Sequence, residues 1–412
     1  MSGSLFINPT AFEIGLQAAF AARSQSSEAQ GAAFERFAKQ GFPNRRAEGW
    51  KWSDFHGALR NMTPANDGEA TIAVAPSAFA ALDPLEFRIV NGRIELPAEA
   101  VPDGMRYGIL DPVATIPELE SHAIATLNVA MTRKALGIEI GEGAAHARPV
   151  LIRHINTGAG FSFAQTLVRV SVNAQVNLIE TYEGAGAGFY SHLFHMALRD
   201  GAKINRTVLQ ETGAGQIVHA LCAAKVDAKA RFDQTSLSTG SRLSRHETIA
   251  HFWAPDASAN FNSAALVSGE RHCDFTSHVL HKEERCKTRQ LHKGVARDRG
   301  RNVFQGKFEV ERKAQKIDAK MTANALLLSG DAEANHKPEL EIYADDVECA
   351  HGSTAGALDE DALFYLRQRG LDEHAARALL IEAFLGEVID GISDDRIADA
   401  FRVKMMDWLE SE

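Results

Sequence analysis

Two stretches decide the fold: Asp256-Ala-Ser-Ala-Asn-Phe-Asn-Ser-Ala-Ala-Leu-Val-Ser-Gly269 and Asp318-Ala-Lys-Met-Thr-Ala-Asn-Ala-Leu-Leu-Leu-Ser-Gly330. Each opens on a turn-forming residue, alternates through a strand-like run and closes on glycine; the second is one residue shorter. The same opening recurs at Asn173-Ala-Gln-Val176, Asp200-Gly-Ala-Lys-Ile204 and Asp227-Ala-Lys-Ala230, so the acidic or amide positions up to Asp256 are separated by 27, 27 and 29 residues. Gly184 follows the first turn by 11 residues, and Gly213, Gly240 and Gly269 follow the next three by 13 each.

A period of that length, with two alternating runs inside it, reads as a coil of two strands. Asx or Gly belongs at each corner because those residues tolerate positive φ. Coils of this kind stack by pairing each strand with its counterpart in the next coil, which gives a parallel β-helix, or β-solenoid. A β-sandwich would show strand spacings of about 8–12 residues without a superperiod. The expected class is therefore mainly β, with a helical unit and linker over residues 1–70, a β-helix core over 71–356 and a C-terminal helical unit over 357–412. A solenoid's end coils expose unpaired strand edges, so the helices are expected to cap them.

The helical reading of the ends rests on local signals. Thr10-Ala-Phe-Glu13 is a capping box ahead of Phe12, Leu16 and Phe20 on one face. Ser27 and Gln30 open a second helix with Phe34, Phe37 and Ala38, which stops at Gly41. Trp50 and Trp52 lie in the loop that follows and are expected to pin it to the core. From Met62 to about Ala80 the composition is that of a linker. Asp359, Asp372 and Ser393 each open a helix near the C-terminus, and Ala376, Leu379, Leu380, Ala383, Phe384 and Ile389 are expected to form the apolar face of the middle one. Ile397, Phe401, Met405 and Trp408 share one side of the last helix. The leftover apolar and Arg-rich surface either docks another protein or packs only on the solenoid end.

Composition bounds the function. The chain has 412 residues, a formal charge of −10 and 45% hydrophobic residues, which argues against nucleic acid or an anionic membrane as a main partner. Four cysteines are too few for a disulfide scaffold of this size, and Met1–Thr10 does not read as a secretory signal. A reducing, cytoplasmic setting is the expectation. There is no Gly-x-Ser-x-Gly elbow and no phosphate-binding loop of the Walker type. Carbohydrate-degrading β-helix enzymes are the enzymatic alternative by architecture, but those are usually exported.

His272, Cys273, His278, His281, Cys286 and His292 crowd one region without the short Cys-x-x-Cys spacing of a zinc site, and read as strand residues. His192 and His195 are read as structural. Cys349 and His351 are different. Two apart on a strand, they share a face, so thiol and imidazole can converge on one ligand. A Cys/His pair suits iron or an iron–sulfur fragment, but two ligands leave a tetrahedral site half made, and a second chain would have to supply the rest. The alternative is a buried cysteine and a capping histidine at a domain junction.

Leu340-Glu-Ile-Tyr-Ala-Asp-Asp-Val-Glu-Cys-Ala-His-Gly352 and Phe364-Tyr-Leu-Arg-Gln-Arg-Gly370 closely resemble the SufB/SufD family of iron–sulfur cluster assembly proteins. Arg312-Lys-Ala-Gln-Lys-Ile-Asp-Ala319, Asn324-Ala-Leu-Leu-Leu-Ser329 and Gln290-Leu-His-Lys293 extend the resemblance, and Gly41-Phe-Pro-Asn-Arg-Arg-Ala-Glu-Gly-Trp-Lys51 is similar to the N-terminal motif of the SufD branch. The resemblance implies a right-handed parallel β-helix that pairs with SufB through the β-helices. It implies a C-terminal helical unit that docks the SufC ATPase, with Phe364, Tyr365, Leu366, Arg367, Arg369 and Gly370 at the contact. His351, with Cys349 beside it, would hold a transient Fe–S cluster at the SufB–SufD interface. The chain itself would be a non-catalytic scaffold, pairing with itself when alone, within a complex associated with reduced flavin.

Overall fold

The computed structural model describes residues 5–6, 8–62, 75–114 and 119–410. Most of the expected linker, 63–74, lies outside the described residues. Three helices come first: α1 (Ala11–Ala21), α2 (Glu28–Gln40) and α3 (Phe55–Leu59). Strands β1 (Leu85–Val90), β2 (Arg93–Glu95) and β3 (Met105–Leu110) precede helix α4 (Ala123–Met131). Sixteen further strands follow among the described residues. They are β4 (Ala135–Ile140), β5 (Val150–Ile155), β6 (Phe161–Val170), β7 (Gln175–Gly184), β8 (Phe189–Leu198), β9 (Lys203–Thr212), β10 (Ile217–Val226) and β11 (Arg231–Ser238), then β12 (Leu243–Phe252), β13 (Ser258–Val267), β14 (His272–His281), β15 (Lys287–Ala296), β16 (Arg301–Val310), β17 (Ile317–Leu327), β18 (Glu333–Ile342) and β19 (Val347–Gly356). The chain ends in α5 (Glu360–Gln368), α6 (Glu373–Ile389) and α7 (Asp395–Glu410).

The odd-numbered strands from β5 to β19 form one sheet, hereafter the first, and the even-numbered strands from β4 to β18 the second. Along each sheet these strands are parallel to the counterparts one coil away, making a β-solenoid of about eight turns. In the first sheet Gln175 faces Lys203, Lys203 faces Arg231, Arg231 faces Ser258, Ser258 faces Lys287, and Lys287 faces Asp318. The steps are 28, 28, 27, 29 and 31 residues, so the 27- to 29-residue superperiod seen in the sequence is the length of one coil.

The corner chemistry departs from the expectation of Asx or Gly throughout. Positive φ falls on Asn173, Gly201, Lys229, Asp256, Arg285 and Lys316. At the second and third turns the left-handed residue is therefore not Asp200 or Asp227, and three corners use a long cationic side chain. Stacking explains the tolerance. The N–H of each left-handed residue donates to a carbonyl of the next coil's turn, Asn173 to Asp200, Gly201 to Ala228, Lys229 to Pro255 and Arg285 to Gln315. An L-residue costs about 1–2 kcal/mol in this conformation, and an inter-coil hydrogen bond offsets that cost.

The helices lie on the flanks of the solenoid rather than over its ends, which corrects the capping expectation. Phe12, Phe34, Phe37 and Phe55 pack with Phe161, Phe189, Leu193 and Leu221 on the outer face of the second sheet. On the opposite flank, α6 and α7 bury Ile381, Leu385, Val388, Phe401 and Met405 against Leu209, Leu237, Leu266 and Val295 of the first sheet. The reason is hydrophobic: both sheets carry outward-facing apolar patches that only a flanking layer removes from water. The face of α6 shifts accordingly. Ala376, Ile381, Leu385, Val388 and Ile389 are buried, whereas Leu379 and Ala383 face solvent.

The loop 41–54 is a latch, as expected for Trp50. The Arg245 guanidinium sits 3.9 Å over the Trp50 ring, and Trp50 packs edge-on against Phe55. Buried Ser53 bonds to Asp274 and lies 3.1 Å from His272 Nε2. Trp52 is only half-buried, with Lys51 over its ring.

The solenoid interior is not wholly apolar. Glu180 accepts from Arg206 at 2.7 Å and from the Tyr182 hydroxyl at 3.1 Å, and Arg206 donates on to Gln234. Beside them His192 lies between the Tyr182 and Thr166 hydroxyls, and His154 meets Tyr190 at 2.7 Å. Burying charge in this way is tolerable because each group is paired.

Candidate functional site at the open terminal coil

Strands β18 and β19 are the last in their sheets, and each pairs on one side only, β18 with β16 and β19 with β17. Their outer edges present unpaired backbone N–H and C=O groups, a template for another strand. On β19, Cys349 faces Ala319 and His351 faces Met321, both interior positions of the preceding coil. The register thus puts Cys349, His351 and Ser353 on the lumen side of the terminal coil. With no coil beyond, that side is the solenoid's mouth: Cys349 is half-buried and His351 exposed.

Cys349 packs against the interior cluster beside Val347 and Leu340. Burial pushes its thiol pKa up, although the backbone at Ala319 opposes this with a hydrogen bond. A thiol in this setting is mostly protonated at neutral pH, and a metal or a nearby cation would be needed to favour the thiolate. Among the described residues no third His, Cys, Asp or Glu joins Cys349 and His351 within ligand distance.

His336 is the residue that sequence reasoning missed. It faces Phe304 of the preceding coil, so it too points into the lumen, and its Nδ1 lies 3.0 Å from the Ser353 hydroxyl. Burial lowers its pKa to about 4, so the imidazole is neutral at physiological pH. No sequence signal pointed to it, because β18 and β19 belong to different sheets and only the folded coil brings His336 to Ser353.

Two other groups each bring three candidate ligands together among the described residues, His122 with His219 and Glu247, and His154 with Glu180 and His192. Neither is suited to a metal. His122 Nδ1 accepts from the Ala125 N–H, which leaves the proton on Nε2, and that nitrogen donates to Glu247. Although burial opposes it, Arg245 and the two imidazoles hold the Glu247 carboxyl well below the usual range. In the second group Glu180 is already occupied by the Arg206 guanidinium, whose charge repels a cation. His192 is accordingly structural, whereas His195, on the same strand, belongs to neither group and lies on the outer face of the sheet. In the crowded β14–β15 region His281 and His292 are buried and bonded to Thr288, Ser263 and Asn302, while His278 faces outward to Glu309.

Beyond the mouth, Asp359 caps α5 by accepting from the N–H groups of Asp361 and Ala362. Leu363 turns inward, whereas Phe364 and Tyr365 are 65% and 57% exposed. Leu366 is half-buried, Arg369 lies 5.1 Å over the Tyr365 ring, and Arg367 approaches Glu373 at 3.5 Å. Gly370 has φ of +95°, so the sharp exit from α5 calls for glycine. Two adjacent exposed aromatics flanked by arginines have the composition of a protein-binding patch.

The structure is thus a parallel β-solenoid with flanking helices and bare strand edges at β18 and β19. Residues 153–384 match the family described as SUF system FeS cluster assembly, SufBD core domain, and the chain belongs to that family. It is 27% identical to the iron–sulfur cluster assembly protein SufD of Escherichia coli over 88% of each chain. It is 30% identical to the chloroplastic protein ABCI7 of Arabidopsis thaliana over 64% of this chain and 58% of that one, and 32% identical to an iron–sulfur cluster assembly SufBD family protein of Synechocystis over 55% and 52%. Among the described residues no helix is long and apolar enough to cross a membrane.

Proposed function

We propose that this chain is a SufD-type, non-catalytic scaffold subunit whose terminal coil joins that of a SufB-like β-helix and there shares a nascent iron–sulfur cluster, its cargo. The observation that carries this reading is the pairing of open strand edges with an under-liganded Cys349–His351 pair on the same coil. His351 supplies a neutral imidazole, and Cys349 supplies a thiol whose proton leaves when the cargo or a partner's charge approaches. The partner provides the remaining ligands. Phe364, Tyr365, Leu366, Arg367, Arg369 and Gly370 form the docking patch for a SufC-type ATPase, whose ATP hydrolysis moves the helical unit and opens the interface. Without SufB the same edges pair with a second copy of the chain. Reduced flavin acts at the level of the whole complex, which resides in the cytoplasm.

The test is co-expression with SufB and SufC partners and anaerobic iron and sulfide analysis. His351→Ala should retain the partners and lose the cluster; a wild-type iron and sulfide content in that variant would sink the ligand role. Failure of the wild-type chain to co-purify with either partner would sink the scaffold reading itself.

A further inference from the structure

The N-terminal helices leave part of the outer face of the second sheet uncovered. Beside them Gly137, Leu167, His195, Ala223 and Ile249 lie side by side on β4, β6, β8, β10 and β12. Together with β3 they enclose a trough of about 710 Å³. Tyr107 and Leu110 of β3 make one wall, and Leu110 lies where any side chain at Gly137 would have to go. Trp253, 42% exposed, stands at the far end. Five neighbouring strands span about 19 Å from first to last, so the trough is long as well as apolar, and its volume falls in the range of small-molecule sites.

The rim is cationic although the chain as a whole carries −10. Arg106, Arg169 and Lys225 line it, and Lys282 sits 3.5 Å over the Trp253 ring. Glu139 reaches Arg169 at only 4.0 Å, and Lys225 is 3.7 Å from Asp227. These weak pairings leave positive charge available to a ligand. An apolar floor with a cationic border selects a molecule with an apolar body and an anionic end.

We propose that this trough is a binding site for an elongated amphipathic anion, an acyl or arylalkyl chain bearing a carboxylate. The body lies across the row from Gly137 to Ile249, and the carboxylate meets Lys225 and Lys282 beside Trp253. The site is on the flank, away from Cys349 and His351, and does not depend on the function proposed above.

The test is calorimetric titration of the full chain with laurate below its micelle concentration. Saturable one-to-one binding is expected, with dodecyltrimethylammonium failing to compete. Ala223→Trp fills the floor and should abolish binding. Lys225→Glu, at an exposed site that spares the fold, should weaken it about fivefold, the worth of one partly exposed ion pair and its reversal. Absence of saturable binding to the wild-type chain, equal binding of the cationic amphiphile, or full affinity in Lys225→Glu would each overturn the proposal. If laurate does not saturate but Ala223→Trp blocks capture of a SufB or SufC partner, the trough is a protein interface and the proposal falls.

Discussion

His336 Nδ1 and the Ser353 hydroxyl lie 3.0 Å apart, joining β18 to β19 across the mouth of the last coil. This bond bridges the two sheets where no further coil supports them. Removing it with Ser353→Ala should cost about 1 kcal/mol locally. Amide hydrogen exchange should quicken in β19 but not in β13 or β15, which have neighbours on both sides. Unchanged protection of β19 would show that β17 alone fixes its position.

The Glu180–Arg206 pair makes a larger prediction. Both side chains are buried, and Arg206 has its pKa raised, since Glu180 outweighs the burial that would lower it. Glu180→Ala strands a guanidinium in the interior and should cost about 3–5 kcal/mol in a denaturant titration. The double replacement Glu180→Leu with Arg206→Met should recover most of that loss, because what destabilises is the unpaired charge.

Acid sensitivity should begin at an unusually high pH. Burial lowers the pKa of His219 and His272 to about 4, and of His246 and His292 to about 3. In the unfolded chain these imidazoles titrate near 6.5. Between those values the unfolded state binds more protons, so stability is complete above pH ~6.5 and falls as pH drops toward 4 and 3. Each such histidine contributes a slope of about 1.4 kcal/mol per pH unit in that window. Urea midpoints at pH 8, 7, 6 and 5 check this; a midpoint flat from pH 7 to 5 would refute it.

Gly184 should be irreplaceable. Its φ is +117°, and a Cβ there would fall 2.0 Å from the Asn156 carbonyl oxygen of the neighbouring coil. Gly184→Ala should destabilise by about 3 kcal/mol or more. Gly330→Ala, with open space around it, should stay within about 0.5 kcal/mol of wild type.

On α5 the exposed and buried positions should separate cleanly. Phe364→Ala with Tyr365→Ala should leave the denaturation midpoint unchanged yet weaken capture of a SufC-type ATPase. Leu363→Ala, buried on the opposite face, should cost about 2–3 kcal/mol. Retained ATPase binding in the aromatic double variant would move the docking surface elsewhere.

The solenoid was legible because a stack of coils must repeat its turns, and Asn173, Asp200, Asp227 and Asp256 mark that repeat directly. Positive φ at Lys229, Arg285 and Lys316 was not legible, since their tolerance comes from hydrogen bonds to the next coil and not from their own side chains. Cys349 and His351 could be placed on one face by the two-residue period of a strand. His336 could not, because its relation to Ser353 spans two sheets. The flank position of the helices escaped for a similar reason. Which face of α6 is buried depends on the apolar surface it meets, and α6 carries apolar residues on most sides.

The two ends of the solenoid are unlike. The first coil is bordered by the antiparallel β3 and by the three-residue β2, which turns back from β1 through Asn91 and Gly92. The last coil ends on two ten-residue strands with bare edges. A rod that is adhesive at one end only can meet one other such rod, mouth to mouth, and then stops growing. If the mouth pairs with another such edge, as proposed above, the assembly closes as a pair, whereas the same edges at both ends of a rod would seed a fibre.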